Sequence, residues 1–428
     1  MSTRTAPPPL TLAGVGMVLP GPDGSACTTL ETFNRVVTDG RCCLSAFDHP
    51  GLALRLAGQV HDWDPHTVLR IDERAVRRSS RAAHLATGAV QNALDHAGMD
   101  ARDIDPDRTV LVVASLQFAS PEMERYHAVI ADRGPAALAM DYWISGTPAS
   151  VVGTVASGLG IECPTLSIAG SCNVALRTLH VVRQMFTCGE IDRAIVVGVD
   201  TTVDPVFVAG TVHEGRRGYR ASSLSALPAD VRPHDQSQTG NATGEGAVAV
   251  VLERPSVRTT GDRPLVSMGF RTSRSNGVSA VATGPPDNVA RDIAGVLADA
   301  GARLADVAFV NDYADGNRFV EDHLCEALKG ARKVLDYDGE LLLTNQEAAF
   351  GHVAGIGGLI KLVASTLMLA DQHAGPSINC QTPYESLPAT PVPLAGRSLG
   401  ADRALVVTSG SGGDSTTMLL QLHGGSLR

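Results

Sequence analysis

A cysteine stands at a sharp corner between a predicted strand and a predicted helix. Residues 165–169 form a short apolar run typical of a buried strand, and residues 173–186 carry apolar side chains at helical spacing. Cys172 lies between them, directly after Gly170 and Ser171. Backbone N–H groups and the positive end of a helix dipole at such a corner favour a thiolate and a neighbouring oxyanion. Cys172 is therefore a candidate nucleophile, and the alternative from local sequence is a small buried core cysteine.

Strands and helices alternate along the rest of the chain. Apolar runs predict strands at residues 10–18, 109–114, 165–169, 193–199, 244–252, 266–271, 307–313, 341–343, 404–407 and 416–422. Helical periodicity is found at residues 30–39, 74–97, 147–159, 173–186, 288–300, 321–330 and 356–369. This rhythm predicts an α/β protein with mainly parallel sheets covered by helices. We expect two similar halves, residues 1–255 and 256–428, with a long irregular region at 211–243 and a connection at 254–262.

Composition limits the possible partners and cofactors. The chain has 428 residues, 44% of them hydrophobic, which is ample for a core of this size. A formal charge of −10 argues against nucleic acid or an anionic membrane as the main partner. The eight cysteines form no CxxC pair, and Asp312 and Asp315 lack the spacing of a calcium loop, so we expect neither a metal nor a cofactor. No signal-like start or membrane-length apolar run is seen, which predicts a cytoplasmic protein.

Four segments in order carry a resemblance to a known family. They are the opening strand and loop at residues 10–24, Ala-Gly-Ser-Cys at 169–172, Arg-Pro-His-Asp at 232–235 followed by Gly-Glu-Gly-Ala at 244–247, and Phe-Gly-His at 350–352 followed by Gly355 and Gly358. The chain resembles the β-ketoacyl synthases of fatty acid and polyketide assembly from about residue 10 to residue 422. The resemblance implies a thiolase-like, duplicated αβαβα layered fold.

The resemblance also implies a role for each matching residue. Cys172 would accept an acyl group from the thioester of an acyl carrier protein. His352 would hydrogen-bond the substrate carbonyl or the developing enolate. The backbone N–H groups of Cys172 and Ser411 would form an oxyanion hole, which suits thioester exchange because a tetrahedral oxyanion needs paired donors. A homodimer, or a heterodimer with a related ketosynthase subunit, is the expected assembly.

The first departure from the family concerns its other histidine. That histidine lies in an HGTGT-like segment, where this chain has Tyr313 followed by Ala, Asp315, Gly and Asn317. Near neutral pH a phenol is a far poorer proton acceptor than an imidazole. The same segment resembles chain length factors, the partner subunits of aromatic polyketide synthases, although those usually lack the cysteine. Tyr313 could also be a core aromatic that ends a strand.

The second departure is an exchange of charges around His352. Where the family has a lysine five residues before this histidine and a glutamate nine residues after it, this chain has Glu347 and Lys361. We predict that the two form an ion pair near the active site. A carboxylate there would hold His352 protonated and disfavour a substrate that carries a carboxylate. The alternative is two unrelated surface charges.

The third departure opens the acyl pocket. Ser411 stands where the family's GFGG loop has a phenylalanine. The interpretation from sequence is a ketosynthase-like acyltransferase that acts through Cys172 in a condensation step of fatty-acid-like or polyketide biosynthesis. Two alternatives stay open. One is a non-decarboxylating acyltransferase that forms an ester, amide or thioester, and the other is a non-catalytic partner that resembles a chain length factor.

Overall fold

The computed structural model describes residues 8–138, 140–214, 220–257, 262–275, 277 and 279–427. Part of the predicted irregular region, residues 215–219, and part of the predicted connection, residues 258–261, lie outside the described residues. Within the described part of the chain, none of the helices is both long enough and apolar enough to cross a membrane.

Strands and helices alternate as predicted in the first part of the chain. The strands are β1 (Leu10–Pro20), β2 (Ala26–Cys27), β3 (Ser45–Ala46), β4 (Leu56–Ala57), β5 (Thr109–Ser115), β6 (Thr165–Ala169), β7 (Arg193–Thr201) and β8 (Glu245–Glu253). The helices are α1 (Leu30–Asp39), α2 (Pro65–Val68), α3 (Glu73–Arg78), α4 (Arg81–Ala97), α5 (Glu122–Arg133), α6 (Asp141–Ser145), α7 (Pro148–Leu159), α8 (Val174–Thr187) and α9 (Pro205–Val212).

The second part repeats this alternation with fewer helices. The strands are β9 (Leu265–Thr272), β10 (Phe309–Asn311), β11 (Leu342–Thr344), β12 (His373–Ala374), β13 (Thr390–Pro391), β14 (Arg397–Ser398), β15 (Arg403–Ser409) and β16 (Ser415–Leu422). The helices are α10 (Pro286–Asp299), α11 (Arg318–Val334), α12 (Glu347–Phe350) and α13 (Gly357–Asp371). We call β1 to β8 the first half and β9 to β16 the second half.

Strand order shows that the two halves are copies of one topology. The first half runs β6-β5-β7-β8-β1 across its sheet, and the second runs β11-β10-β15-β16-β9. Counted along each half, these are the same order. The pairing sense also repeats, with the outer three strands parallel and the other two antiparallel. Two residue pairs between β1 and β9 join the sheets. The protein is therefore a duplicated α/β fold, as the sequence predicted.

Helices α8 and α13 form the middle layer between the two halves. Helix α8 contacts β5 and β7 of the first half and β16 and β9 of the second, while α13 contacts β15, β16 and also β8. Helices α4 and α10 cover the outer faces of the sheets. The two middle helices pack closely at Gly358, which has no side chain. A Cβ added there would lie only 2.6 Å from the backbone nitrogen of Leu176. The segments that precede the two helices, which carry Cys172 and His352, are thereby brought side by side.

At two predicted elements a short polar side chain explains why the observed extent differs. The helix predicted at residues 74–97 is divided into α3 and α4, because α3 ends at its capping residue Ser79 and Ser80 begins α4, where its side chain accepts a hydrogen bond from the Ala83 N–H. The strand predicted at residues 307–313 is confined to β10. After Asn311 the chain turns, since the Asp312 carboxylate accepts the N–H of Ala314. Tyr313 consequently lies in a loop and not in a strand.

Candidate active site

Cys172 lies at the corner between β6 and α8. Gly170 packs against Val174, and the carbonyl of Ser171 accepts the N–H of Val174 at 2.9 Å, which closes the turn. The Cys172 side chain is half-buried. Among the described residues, the backbone N–H of Cys172 has no acceptor within the protein. That free donor is available to a bound ligand.

His352 is held by its backbone at the equivalent region of the second half. Gly351 has φ = 81°, a left-handed conformation in which an added Cβ would lie 2.8 Å from the carbonyl oxygen of Thr243. The N–H of His352 donates to the carbonyl of Ala242 at 2.6 Å, and its own carbonyl accepts the N–H of Gly244 at 3.2 Å. The segment before β8 therefore fixes the position of a histidine that belongs to the second half.

The side chains form one continuous chain of contacts. His352 Nε2 lies 3.2 Å from Cys172 Sγ. His352 Nδ1 donates to Glu347 Oε2 at 3.0 Å, and Lys361 Nζ lies 3.1 Å from Glu347 Oε1. Glu347 begins α12 and Lys361 lies in the first turns of α13, and both side chains are buried. The pair of Glu347 and Lys361 anticipated from the sequence is thus a direct contact that continues to the histidine.

Electrostatics in this chain favour an imidazolium. Burial alone would lower the pKa of His352, but the charges of Cys172 and Glu347 raise it well above its usual value. Burial would likewise raise the pKa of Glu347, whereas Lys361 and His352 lower it to about 2. Glu347 therefore stays ionised and holds the Nδ1 proton of His352, which leaves Nε2 to face the cysteine.

The hairpin between β15 and β16 lies against the cysteine corner. A Cβ on Gly410 would stand 2.0 Å from Ser171 Oγ and 3.3 Å from the Cys172 nitrogen, so a larger residue there would displace the Ser171 side chain. Asp414 fastens the hairpin, because its carboxylate lies 2.5 Å from Arg177 and accepts the Ser171 hydroxyl at 3.3 Å. The N–H of Ser411 has no acceptor among the described residues. The hairpin thus brings a second unpaired donor to the region of Cys172.

Tyr313 does not use its hydroxyl toward the cysteine. Its OH lies 2.7 Å from His323 Nδ1, and His323 Nε2 lies 2.9 Å from the carbonyl of Gly284. Because a carbonyl can only accept, Nε2 carries the proton, and the phenol must donate to Nδ1. Burial lowers the pKa of His323 and raises the pKa of Tyr313 well above its usual value. Tyr313 is therefore a neutral phenol that donates its hydroxyl proton to His323.

Asp315 is a cavity residue that the sequence interpretation did not select. Its side chain is 5% exposed, and its oxygens accept hydrogen bonds from Asn241 Nδ2 at 2.8 Å and from the Asn317 N–H at 2.9 Å. Burial raises its pKa, and the positive charge of His352 acts in the opposite direction. The sequence signal was its place in the HGTGT-like segment, two residues after Tyr313.

A buried network supports the loop that carries Tyr313 and Asp315. His234 Nε2 lies 3.0 Å from Asp312, and its Nδ1 lies 2.6 Å from Ser377 Oγ. Burial would lower the pKa of His234, but Asp312 raises it above its usual value. The sequence interpretation did not identify this contact. Its signal was His234 itself, which stands where the resembled RPFD segment has a phenylalanine.

All six residues selected from the sequence line one cavity of about 290 Å³. They are Cys172, Tyr313, Glu347, His352, Lys361 and Ser411. Phe207, Phe319 and Val320 contribute apolar walls. Across the residues that the structure describes, no cluster of three or more His, Cys, Asp and Glu side chains could hold a metal ion. The arrangement suits acyl transfer through a thiol, because a nucleophile, a base and two unpaired N–H donors border the same space.

Comparison with known proteins identifies the family of the chain. Residues 9–257, more than half of the chain, match the model of the β-ketoacyl synthase N-terminal domain. The chain belongs to the β-ketoacyl synthase family. Among its relatives, this β-ketoacyl synthase homologue is 25% identical over 432 residues to the tetracenomycin polyketide synthase ketoacyl synthase alpha subunit of Streptomyces glaucescens, with 98% of both chains covered. It is 23% identical to 3-oxoacyl-[acyl-carrier-protein] synthase 2 of Vibrio harveyi, with 96% of this chain and 97% of the relative covered.

Solved structures share the fold over the whole length of the homologue. One is described as the ishigamide ketosynthase/chain length factor; it covers 98% of this chain and 100% of its own, with a TM-score of 0.83 and 20% identity. Another is a type II polyketide synthase acyl-carrier protein in complex with its ketosynthase bound to the hexaketide, with 97% and 99% coverage, a TM-score of 0.80 and 19% identity. These matches establish the fold that the resemblance implied.

Proposed function

We propose that this β-ketoacyl synthase homologue is an acyltransferase of polyketide or fatty-acid-like biosynthesis that accepts its acyl group on Cys172 from an acyl carrier protein. The observation that carries the proposal is the 3.2 Å contact between Cys172 and His352, extended to Glu347. The carrier as donor is supported by the relatives, one of which is named for acyl carrier protein and one of which is a complex with it. A dimer with itself or with a related ketosynthase subunit is the proposed assembly.

The proposed acylation step gives each of these groups a role. The Cys172 sulfur attacks the thioester carbonyl carbon, and a carbon–sulfur bond forms as the carbonyl oxygen becomes an oxyanion. The N–H groups of Cys172 and Ser411 bind that oxyanion. The bond to the carrier sulfur then breaks, and the leaving thiolate takes the proton of the His352 imidazolium. Glu347 orients His352 throughout, and Lys361 balances the charge of Glu347.

We assign residues 1–255 to the half that carries the nucleophile and residues 256–428 to the half that carries the histidine and the glycine-rich hairpin. The repeated strand order supports a division between β8 and β9. Neither half would be active alone, because the attacking sulfur and the imidazole belong to different halves.

Intact-mass spectrometry after incubation with a panel of acyl-carrier thioesters tests acylation. We expect a mass increase equal to the acyl group, and Cys172→Ala should abolish it. An adduct of equal size in the Cys172→Ala protein would show that another residue is acylated. No adduct with any donor would contradict the proposal.

A non-catalytic partner subunit is the second candidate function. The observation that favours it is the commitment of Tyr313 to His323, within the segment that resembles chain length factors. A partner subunit would support an active ketosynthase after the Cys172→Ala change. A carrier-dependent acyltransferase would lose its product.

A further inference from the structure

We propose that the acyl group on Cys172 is transferred to a primary amine, so that the product is an amide, and that Asp315 selects this acceptor. The inference rests on the proposed acylation of Cys172 and names the second substrate of the same site. It is drawn from the charges and hydrogen-bond donors that remain in the cavity once the acyl-enzyme has formed.

The acylated cavity carries one uncompensated negative charge. Its charged lining residues are Asp315, Glu347, His352 and Lys361. Glu347 and Lys361 form a direct ion pair and cancel. His352 has given its proton to the leaving carrier thiol, and the sulfur of the acylated cysteine is neutral. Asp315 is then the remaining carboxylate, held by two N–H donors and, among the described residues, by no direct cation. Burial raises its pKa, which favours its acceptance of a proton from an ammonium group. An ammonium group is attracted to such a site, and a carboxylate is repelled.

The donors that a malonyl unit would need are absent from the corresponding positions. Decarboxylation produces an enolate, which needs N–H or O–H donors at its oxygen. Tyr313, at the position of the family's second histidine, already donates its proton to His323. Once His352 has given its Nε2 proton to the carrier thiol and the Cys172 thiolate charge is gone, its remaining proton is on Nδ1 and is bound by Glu347, so Nε2 is an acceptor. The side chains next to Cys172 therefore accept a proton better than they stabilise an enolate.

An amine uses each of these groups in a balanced reaction. The ammonium releases one proton to Asp315, and the free amine attacks the carbonyl carbon of the acyl-cysteine to form a carbon–nitrogen bond. The oxyanion is bound by the N–H groups of Cys172 and Ser411. His352 Nε2 removes the second proton from nitrogen, and the carbon–sulfur bond breaks. The products are an amide, the Cys172 thiolate beside a His352 imidazolium, and one proton that Asp315 returns to solvent.

The test begins with isolated acyl-enzyme and follows its discharge. Desalted acyl-enzyme is divided among n-butylamine, n-butanol and malonyl-acyl carrier protein, and loss of the acyl mass, amide, ester, β-keto product and carbon dioxide are measured. Each rate is divided by the rate at which the same nucleophile discharges the denatured acyl-enzyme, which removes intrinsic reactivity. We expect the acceleration for butylamine to exceed that for butanol by about tenfold or more.

Variants of Asp315 separate selection from folding. Asp315→Asn and Asp315→Thr, the latter restoring the residue of the HGTGT segment, should each lower the acceleration for butylamine by about tenfold or more while changing that for butanol little. Asp338→Asn removes an equal charge from an exposed position and should change neither. Thermal unfolding of each variant identifies any loss of folding, and the Thr variant repeats the test if the Asn variant is unstable.

The outcomes distinguish the two proposals. Failure of any donor to form acyl-enzyme contradicts the acylation itself, and with it the proposed function. Acyl-enzyme that forms but is discharged by malonyl carrier with carbon dioxide release overturns the amine inference alone. Discharge by butylamine that is equally fast in the wild type and in Asp315→Asn also overturns it.

Discussion

The two halves share one strand order, yet their equivalent connections differ greatly in length. The connection from β6 to α8 spans residues 170–173 and presents Cys172, whereas the equivalent connection from β11 to α13 spans residues 345–356 and presents His352. At the connection between the last two strands of each half, the longer segment is instead the one in the first half. Residues 202–244 join β7 to β8, while residues 410–414 join β15 to β16 and present Ser411. The candidate catalytic residues therefore lie in connections whose lengths differ between the halves, while the strand order is the same in both.

The difference also explains why the site needs both halves. The short corner of the first half exposes a sulfur and N–H groups but supplies no base. The long segment of the second half supplies His352 and its partner Glu347 but no nucleophile. The contact of Gly358 with Leu176 joins them, because it brings the two middle helices together just beyond these segments. The following predictions test this division of roles, from the largest expected effect to the smallest.

Removing Glu347 should have the largest effect on stability. Glu347→Ala leaves Lys361 buried without its partner, and we expect the free energy of unfolding to fall by about 3–5 kcal/mol. Glu340→Ala is the matched control, since Glu340 pairs with Arg397 at a half-exposed site and should cost about 1 kcal/mol or less. Chemical denaturation measures both. Equal losses in the two variants would contradict a buried, coupled pair.

Reversing the pair separates its structural role from its chemical one. The double variant Glu347→Lys with Lys361→Glu should regain most of the stability lost by Glu347→Ala, because a buried ion pair is restored. This double variant has the family's own order of charges, so acylation should continue, but its pH dependence should change because an ammonium in place of Glu347 disfavours the imidazolium form of His352. An unchanged pH dependence would show that Glu347 does not set the protonation of His352.

The same pair makes stability depend on pH in a defined direction. The pKa of Glu347 is lowered to about 2, so its ionisation stabilises the folded state above its ordinary pKa and this contribution is lost as the pH falls from about 4.5 toward 2. The difference in unfolding free energy between the wild type and Glu347→Gln should therefore shrink by about 2 kcal/mol between pH 6 and pH 3. A difference that is constant with pH would show that Glu347 is not held ionised.

Loosening the hairpin should affect chemistry more than stability. Asp414→Asn weakens the contact with Arg177, a half-exposed residue, so we expect a loss of stability of about 1 kcal/mol or less. The acylation rate should fall by about tenfold, because the N–H of Ser411 is no longer held beside Cys172. Asp402→Asn, in the same half but away from the hairpin, is the control. Equal acylation rates for the wild type and Asp414→Asn would argue against the hairpin as part of the oxyanion site.

Tyr313 should have the smallest effect on acylation. Tyr313→Phe leaves His323 without its donor and should cost about 1–2 kcal/mol of stability. Acylation of Cys172 should stay within about threefold of the wild type, a difference of well under 1 kcal/mol in barrier height. A drop of a hundredfold would show that the phenol acts on the thioester.

Local patterns predicted the framework well. Apolar runs and helical periodicity located the principal strands and both middle helices, because burial in a layered fold leaves a regular imprint on the sequence. The places where a side chain competes for a backbone N–H group were harder to predict. Ser80 interrupts an otherwise continuous helical pattern by accepting the N–H of Ala83. Asp312 accepts the N–H of Ala314, and β10 therefore ends earlier than predicted. In both places a short polar side chain takes a backbone donor from the regular element.

The site contacts that the sequence did not predict join residues that are distant from each other in the sequence. The six selected residues do line one cavity, but nothing near Tyr313 indicates that His323 faces its hydroxyl. Asp315 was visible only as part of a motif, and its place in the same cavity as His352 depends on how the sheet positions the segments before α11 and α13. Asp414 lies far from Arg177 in sequence and meets it only because the two halves pack together.

The rate of a single acylation event tests most directly whether the two halves form one active site. Wild-type protein and His352→Ala are mixed with the same acyl-carrier thioester, quenched at intervals and weighed by mass spectrometry, with Cys172→Ala as the blank. If His352 of the second half activates Cys172 of the first, the His352→Ala protein should acylate at least about a hundredfold more slowly. Equal rates in the two proteins would contradict the account.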